Sequence, residues 1–201
     1  MNHEEFWKII DAAREEAGGW EEMYETLPER LRALELPDLM RWKLIFDEYQ
    51  RLSYKNKLWA AAYVINGGCS DDAFDYFRGW LTAQGREVFL NALKDPETLA
   101  EVEAAEEDVE FEDILYAPAQ AYLRKLNLPP DDSGAFYEEL EKHALPAEIE
   151  AAMAAEIVYD EEIDAEWEEE DLPGLLPVLC GKFGWEEPDP DEESENEEDA
   201  D

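Results

Sequence analysis

The chain has 201 residues, of which 45% are hydrophobic and 12% aromatic. That is more apolar material than a disordered chain carries, and it is enough for one principal core. The formal net charge at pH 7 is −39, from 55 acidic and 16 basic residues. A field of this sign repels phosphate backbones and anionic lipids, so direct binding to nucleic acid or to a membrane surface is not expected. The composition favours a basic protein as partner.

The charge is concentrated in the last third of the chain. Residues 1–126 hold 27 acidic and 14 basic side chains, a net charge of −13, whereas residues 127–201 hold 28 and 2, a net charge of −26. Such a run serves solubility in many proteins. A salt-adapted organism would also enrich acids, although over the whole folded surface rather than at one end. A function for the acidic end stays open at this stage.

Several features indicate a soluble protein of a reducing compartment. The N-terminus is acidic and does not lead into the apolar stretch of a signal peptide. The longest apolar run, residues 58–65, is much shorter than the roughly 20 residues that cross a bilayer. Two cysteines, Cys69 and Cys180, suggest no disulfide framework in a chain of this size. We therefore expect a cytoplasmic location.

Apolar residues recur at three- and four-residue spacing from the N-terminus onward. The first helix has Asn2 as its N-cap, Glu5 three residues later, and a glycine pair at 18–19 as its stop. The spacing continues over residues 20–34, but Pro28 lies inside this segment and should break or kink it.

The next two segments predict an amphipathic helix and a central helix. Residues 37–52 form a broad apolar stripe that starts with proline in the first turn. Residues 58–65 are apolar on every side, as expected of a helix surrounded by others. A buried strand is the competing interpretation of this run, but three consecutive alanines favour helix. Gly67 and Gly68 then end it.

Helical signals continue to the end of the apolar part of the chain. Ser70 is placed to cap a helix with a buried face, and Gly85 separates it from the following one. A helix over residues 111–126 contains Pro118 and ends before the proline pair at 129–130. Further helices are predicted around five apolar positions, Phe136, Leu140, Ile149, Met153 and Ile157. A short apolar docking segment is predicted after them, from Leu172 to Phe183.

No β alternation of useful length is present, so the sequence predicts an all-α protein. Residues 1–128 form a compact multi-helix domain. Residues 129–185 form an acidic, mostly helical extension packed on that domain. Residues 186–201 lack any large apolar side chain and are expected to be a disordered acidic tail.

The middle of the chain resembles a known family. Residues 58–72 read Leu-Trp-Ala-Ala-Ala-Tyr-Val-Ile-Asn-Gly-Gly-Cys-Ser-Asp-Asp, residues 74–81 read Phe-Asp-Tyr-Phe-Arg-Gly-Trp-Leu, and residues 84–86 read Gln-Gly-Arg. Together with Phe-Trp-Lys-Ile-Ile-Asp at 6–11, they resemble the bacterial family called Domain of Unknown Function 4240. The resemblance covers about residues 1–128. It implies a bacterial origin and one shared domain, and it supplies no activity or catalytic residue.

The signature does not indicate an enzyme centre. Cys69 lies just before a helix N-terminus, but two aspartates follow it and no histidine is near it in sequence. Asp71, Asp72 and Asp75 could offer oxygen ligands to a cation, although capping and helix-dipole compensation explain the first two. The glycine pair lacks the lysine of a phosphate loop. We predict no catalytic residue, no metal site and no cofactor.

The most site-like polar groups lie between the central helix and the helix after Gly85. Arg78 and Arg86 could recognise a carboxylate or a peptide if they line a cleft. An ion pair of Arg78 with Asp75 is the competing interpretation. The candidate ligand-binding residues are Asn66, Asp71, Asp72, Asp75, Tyr76, Arg78, Trp80, Gln84 and Arg86.

Two functional hypotheses follow. The first is a non-enzymatic interaction or regulatory module whose acidic C-terminal region engages a basic partner. The second is an enzyme or small-ligand-binding domain that uses the polar cluster between Asn66 and Arg86. A cleft in which these polar groups converge would favour the second, and buried groups paired with one another would favour the first.

Overall fold

The structure is a computed structural model that describes residues 1–103 and 109–185. All regular secondary structure in these two ranges is helical, which confirms the predicted all-α fold. The expected disordered tail, residues 186–201, lies outside the described residues. The helices are α1 (His3–Ala17), α2 (Met23–Ala33), α3 (Leu36–Leu52), α4 (Asn56–Asn66), α5 (Asp71–Ala83), α6 (Arg86–Lys94), α7 (Asp113–Leu126), α8 (Ser133–Leu140), α9 (Ala147–Glu156), α10 (Leu172–Leu175) and α11 (Pro177–Phe183), with 3-10 helices at Pro96–Glu101 and Glu169–Asp171.

None of the described helices combines the length and the apolar character needed to cross a membrane.

The core is built around aromatic rings that α1 and α3 bring together. Phe6 lies 4.9 Å from Trp42 and 5.4 Å from Tyr49, measured between ring centroids. Trp7 packs on Tyr49 at 4.8 Å, and its indole N–H donates to the Tyr49 hydroxyl at 2.9 Å. Phe89 of α6 packs on Trp7 at 5.3 Å, so three helices share this cluster.

Local signals set the predicted helix ends. α1 begins with a complete capping box between Asn2 and Glu5, and it ends at Gly18 with φ of 85°. α4 ends at Gly67, which also takes the left-handed conformation, with φ of 68°. The Ser70 hydroxyl accepts the amide N–H of Ala73 and so caps α5. These contacts satisfy backbone groups that have no partner inside the helix.

Of the break or kink expected at Pro28, the break does not occur. α2 starts at Met23, five residues before the proline, and it continues through Pro28 to Ala33. α7 likewise continues through Pro118. Both prolines are buried, and α2 and α7 pack against each other along their lengths. Burial of these faces therefore outweighs the one backbone hydrogen bond that each proline removes.

Gly79 permits the closest approach between α5 and the segment that leads into α7. A Cβ atom at this position would lie 2.7 Å from the Phe111 carbonyl oxygen and 2.7 Å from a methyl carbon of Ile114. The Phe111 amide N–H also donates to the Tyr76 carbonyl at 3.0 Å, which fixes the segment against α5. Since one of the crowded atoms belongs to the backbone, it cannot move away as a flexible side chain would.

We predict that Gly79→Ala lowers the free energy of unfolding by about 1–3 kcal/mol, the usual cost of overpacking a core. Urea denaturation followed by far-UV circular dichroism measures the change. Gly181→Ala is the matched control, because it is also a helical glycine but has no heavy atom within 4 Å of the added Cβ. The control should be neutral or slightly stabilising. Equal losses at the two positions would contradict the packing argument.

The helices after Pro130 lie against the N-terminal helices. α8 packs on α7, α9 packs on α1 and α3, and α11 packs on α4 and on the 3-10 helix at Pro96–Glu101. Phe136 and Met153 are fully buried at the first two of these contacts. The acidic third of the chain therefore contributes apolar residues to the same core.

Candidate functional site

Arg78, the first of the two predicted site arginines, is a core residue. It is 4% exposed, and its guanidinium donates to the carbonyls of Gln50 and Phe74 and to the Asp75 carboxylate. The guanidinium also lies 4.8 Å from the ring centroids of Tyr54 and Phe74. Burial lowers the pKa of Arg78, and Asp75 opposes that effect. The side chain joins α5 to the end of α3, and all three of its nitrogens already bind groups of the protein.

The other predicted site residues on α4 and α5 lie in different environments. Trp80 is fully buried and packs on Phe77. The Asn66 side chain accepts the amide N–H of Val109 at 3.1 Å. Asp71 and Asp72 are exposed in the first turn of α5. Tyr76 is half-buried, and its backbone carbonyl accepts the amide N–H of Phe111.

The nine predicted side chains therefore do not meet in one cleft. The reason is geometric, because successive residues of a single helix point in different directions and the core takes one of those faces. Gln84 and Arg86 both border an open groove. A binding role for these residues stays a prediction.

The groove has a volume of about 790 Å³ and lies at the corner between α5 and α6. Arg14 of α1 crosses it and donates to the carbonyls of Ala83 and Gln84, which caps the end of α5. Gly85 makes the corner with φ of +92°. The groove is lined by Asp11, Arg14, Gln84, Gly85, Arg86, Glu87, Val88, Leu90 and Asn91.

The Cys69 thiol lies beside the N-terminus of α5 but is poorly suited to act as a nucleophile. Burial raises the pKa of the Cys69 thiol to about 12, and the charge of Glu110 adds to that effect. A thiolate, which is the reactive form, is therefore disfavoured near neutral pH. Within residues 1–103 and 109–185, no group of three or more His, Cys, Asp or Glu side chains could hold a metal ion.

The most strongly organised charges lie where residues 156–171 cross the N-terminal helices. We call this segment the acidic strap, since ten of its sixteen residues are acidic and none is basic. Three of its carboxylates, four residues apart, each reach a cation of the N-terminal part. The pairs are Glu156 with Arg86 at 2.6 Å, Asp160 with Lys57 at 3.0 Å and Asp164 with Lys55 at 2.7 Å.

Aromatic side chains fasten the strap between these ion pairs. The Tyr159 hydroxyl donates to the Leu52 carbonyl at 3.0 Å, and the Trp167 indole N–H donates to the Asn56 carbonyl at 2.9 Å. Ile163 is 6% exposed between them. The strap is therefore seated by apolar burial and by hydrogen bonds to backbone as well as by charge.

Glu156 makes the densest set of polar contacts. One of its carboxylate oxygens accepts the Tyr49 hydroxyl. The other accepts Nε and Nη2 of Arg86 at 2.9 and 2.6 Å, and His3 Nε2 lies 4.0 Å from it. The Glu156 side chain is 9% exposed and Tyr49 is fully buried. The Trp7 indole N–H donates to the same Tyr49 hydroxyl.

The electrostatics of this arrangement keep Tyr49 and Arg86 in the protonation states that their contacts need. Burial raises the pKa of Tyr49, and its hydrogen bond to Glu156 raises it further, so the hydroxyl stays protonated and donates. The hydrogen bond with Glu156 raises the pKa of Arg86. A neutral donor and a cationic fork thus face one carboxylate, which is the arrangement that strengthens hydrogen bonds.

Lys57 and Asp160 form a second partly buried pair. Lys57 is 7% exposed in a chain where most cations lie at the surface. Burial by itself would raise the pKa of Asp160, but the Glu162 amide N–H and the Lys57 ammonium lower it overall. The carboxylate is therefore held in its charged form, as its lysine partner requires.

Sequence reasoning missed His3, Tyr49, Lys57 and Glu156 as a group. Two signals pointed to Glu156. Glu156 is the last residue of α9, where the helix dipole disfavours an acid. Acids also recur at 156, 160 and 164, a spacing that suggests a helix face, although the chain between 157 and 168 is not helical.

A family model described as "Protein of unknown function (DUF4240)" matches residues 1–124. No curated protein and no solved structure matches the chain. His3, Tyr49 and Arg86 lie inside the matched range, as do Lys55 and Lys57. The carboxylates of the acidic strap lie beyond it.

We predict a strong energetic coupling between Tyr49 and Glu156. In a double-mutant cycle of Tyr49→Phe and Glu156→Gln, the coupling should be about 1.5–3 kcal/mol, because the hydrogen bond is buried and charge-assisted. Urea denaturation of the four proteins measures it. Tyr137→Phe replaces Tyr49→Phe in the control cycle, since Tyr137 is 43% exposed. A coupling below about 0.5 kcal/mol in the first cycle would refute the assignment.

Proposed function

The chain belongs to the DUF4240 family of proteins of unknown function, and this membership implies no activity. We propose that the protein is a non-enzymatic interaction or regulatory module. In this proposal its acidic C-terminal region binds a basic protein. The observation that carries it is the division of the acidic strap into two faces.

The inner face of the strap is neutralised and the outer face is not. Glu161, Glu162, Glu166 and Glu170 are exposed, and within the described ranges none of them has a basic group within 4 Å. In the part of the chain that the structure describes, no basic side chain pairs with these outer carboxylates, and their negative charge is exposed to solvent. A basic protein surface would relieve the repulsion among these charges and would be drawn to the strap from a distance.

The seating of the inner face supports a specific interaction rather than a diffuse one. The ion pairs and the Tyr159 and Trp167 hydrogen bonds hold the strap's backbone in place. A surface that is already ordered pays less conformational entropy when a partner binds. The outer carboxylates therefore act as a fixed pattern, which can discriminate between basic partners by geometry.

We also propose that the protein acts in a bacterial cytoplasm. The resemblance of residues 1–128 suggests the bacterial source. Cys69 and Cys180 are both free thiols, which fits a reducing compartment.

The alternative, an enzyme or small-ligand-binding domain, has less support. Its best location is the groove beside Gln84 and Arg86. Arg86 is already engaged by Glu156, and the burial of Arg78 and Trp80 removes two of the residues on which this hypothesis depended.

We predict that the immobilised full-length protein captures a basic protein from a bacterial lysate and releases it as salt rises. Replacing the four outer glutamates, Glu161, Glu162, Glu166 and Glu170, by glutamine should weaken the affinity for the identified partner about tenfold, because four exposed charge contacts are lost. Isothermal titration calorimetry at two salt concentrations measures the change.

The control variant removes the same charge elsewhere. It replaces by glutamine four exposed glutamates of the N-terminal part, namely Glu15, Glu21, Glu22 and Glu35. An equal loss in both variants would mean that net charge alone attracts the partner, and the proposal would fail. A chain truncated after Trp185 separates the contribution of the tail, which has no role if its affinity and salt dependence are unchanged.

A further inference from the structure

His3, Tyr49 and Arg86 come from three different helices and converge on one point. His3 starts α1, Tyr49 lies near the end of α3, and Arg86 starts α6. The fork of Arg86 and the Tyr49 hydroxyl address the two oxygens of the same carboxylate. His3 Nε2 lies 4.0 Å from the oxygen that Arg86 binds. A guanidinium fork and a hydroxyl arranged in this way match a carboxylate better than any neutral group.

The carboxylate that fills this point is supplied from outside the family domain. The two donor residues, Tyr49 and Arg86, and the nearby His3 lie within the matched residues 1–124, whereas Glu156 lies 32 residues beyond that range. Glu156 also occupies the unfavourable end of its own helix. The preference for an acid at this position therefore comes from the donors and not from the local sequence of α9.

A domain with these donors and no acceptor would leave polar groups unpaired. The Tyr49 hydroxyl is buried and already accepts the Trp7 indole N–H, so its proton needs an acceptor on the other side. An unsatisfied buried donor is costly, so the site favours occupation. In this chain Glu156 satisfies it within the same molecule.

The surroundings of the site indicate a polypeptide ligand rather than a small acid. Beyond Arg86, Lys57 and Lys55 continue the line of cations under the strap, and the Leu52 and Asn56 carbonyls accept aromatic donors from it. An extended acidic peptide with aromatic residues satisfies all of these groups at once. A free carboxylic acid would satisfy only the first.

We propose that His3, Tyr49 and Arg86 form a carboxylate-binding site of the family domain, and that Glu156 is its intramolecular ligand. An acidic, aromatic-containing segment of another protein takes the place of the strap when the strap is displaced. The strap is thus a built-in competitor for the surface that it covers. This second partner is acidic and binds the inner surface, so it is distinct from the basic partner proposed for the outer face.

The carboxylate site is tested first by chemical rescue of Glu156→Ala. Sodium propionate, which carries the missing carboxylate, should raise the melting temperature of this variant by several degrees, as expected for a ligand that binds only the folded state. Sodium chloride at equal ionic strength and neutral propionamide should not. If the variant is unfolded alone, recovery of its far-UV circular dichroism by propionate is the equivalent result.

Two controls make the rescue specific. Glu150→Ala removes an exposed acid from the same helix and should show no propionate effect. Adding Arg86→Gln to Glu156→Ala should abolish the rescue. The indole N–H resonance of Trp7 should shift with propionate in Glu156→Ala, because Trp7 contacts the Tyr49 hydroxyl. Equal effects of propionate and chloride would overturn the carboxylate site.

Competition by the strap is tested with a synthetic peptide of residues 150–171 carrying a fluorescent label. The full-length receptor carries Glu156→Ala, Asp160→Asn, Asp164→Asn and Trp167→Ala, which removes the inner contacts of its own strap. We expect this receptor to bind the peptide at least tenfold more tightly than the unmodified protein does, measured by fluorescence anisotropy. A peptide with Glu156→Gln should bind the same receptor more weakly. Equal binding to both receptors, or no effect of the glutamine, would overturn the proposal.

Discussion

A chain with 55 acidic and 16 basic residues brings like charges together wherever its C-terminal third folds onto the rest. The structure meets this constraint by placing Arg86, Lys57 and Lys55 directly beneath the carboxylates of the acidic strap. Glu156 is the most deeply engaged of these carboxylates, and its contacts join α9 to α1, α3 and α6 at one point. If only apolar groups packed around Glu156, its buried carboxylate would have no partner. The free-energy cost of burying it would then exceed the free energy gained from the packing.

Much of the helical fold could be predicted because its signals are local. Asn2 with Glu5, Ser70 and Gly67 each act within a few residues, so a reader of the sequence sees the whole interaction. Pro28 shows where this approach fails. Its effect on the helix depends on burial against α7, almost a hundred residues later, and the proline residue itself gives no sign of that contact.

The site could not be predicted either, because its interacting residues are also far apart in the sequence. Arg86 and Glu156 are 70 residues apart, and Tyr49 and Glu156 are 107 apart. Arg86 was recognised as a candidate because a guanidinium can bind a carboxylate or a peptide. Arg78 carried the same signal, yet it lies in the core, since the chemistry of a guanidinium does not reveal whether a carbonyl or a ligand will meet it. Only the packing of α5 against α3 decides between the two.

The start of α11 depends on a residue far upstream. Glu97 accepts the amide N–H groups of Val178 and Leu179, at 2.9 and 2.8 Å, across 81 and 82 positions of the chain. A helix usually finds the acceptor for its first turn immediately before it in sequence. Here the acceptor stands on the 3-10 helix at Pro96–Glu101. The cap of α11 therefore forms only when α11 packs on that 3-10 helix, so the start of the helix and its tertiary contact are one interaction.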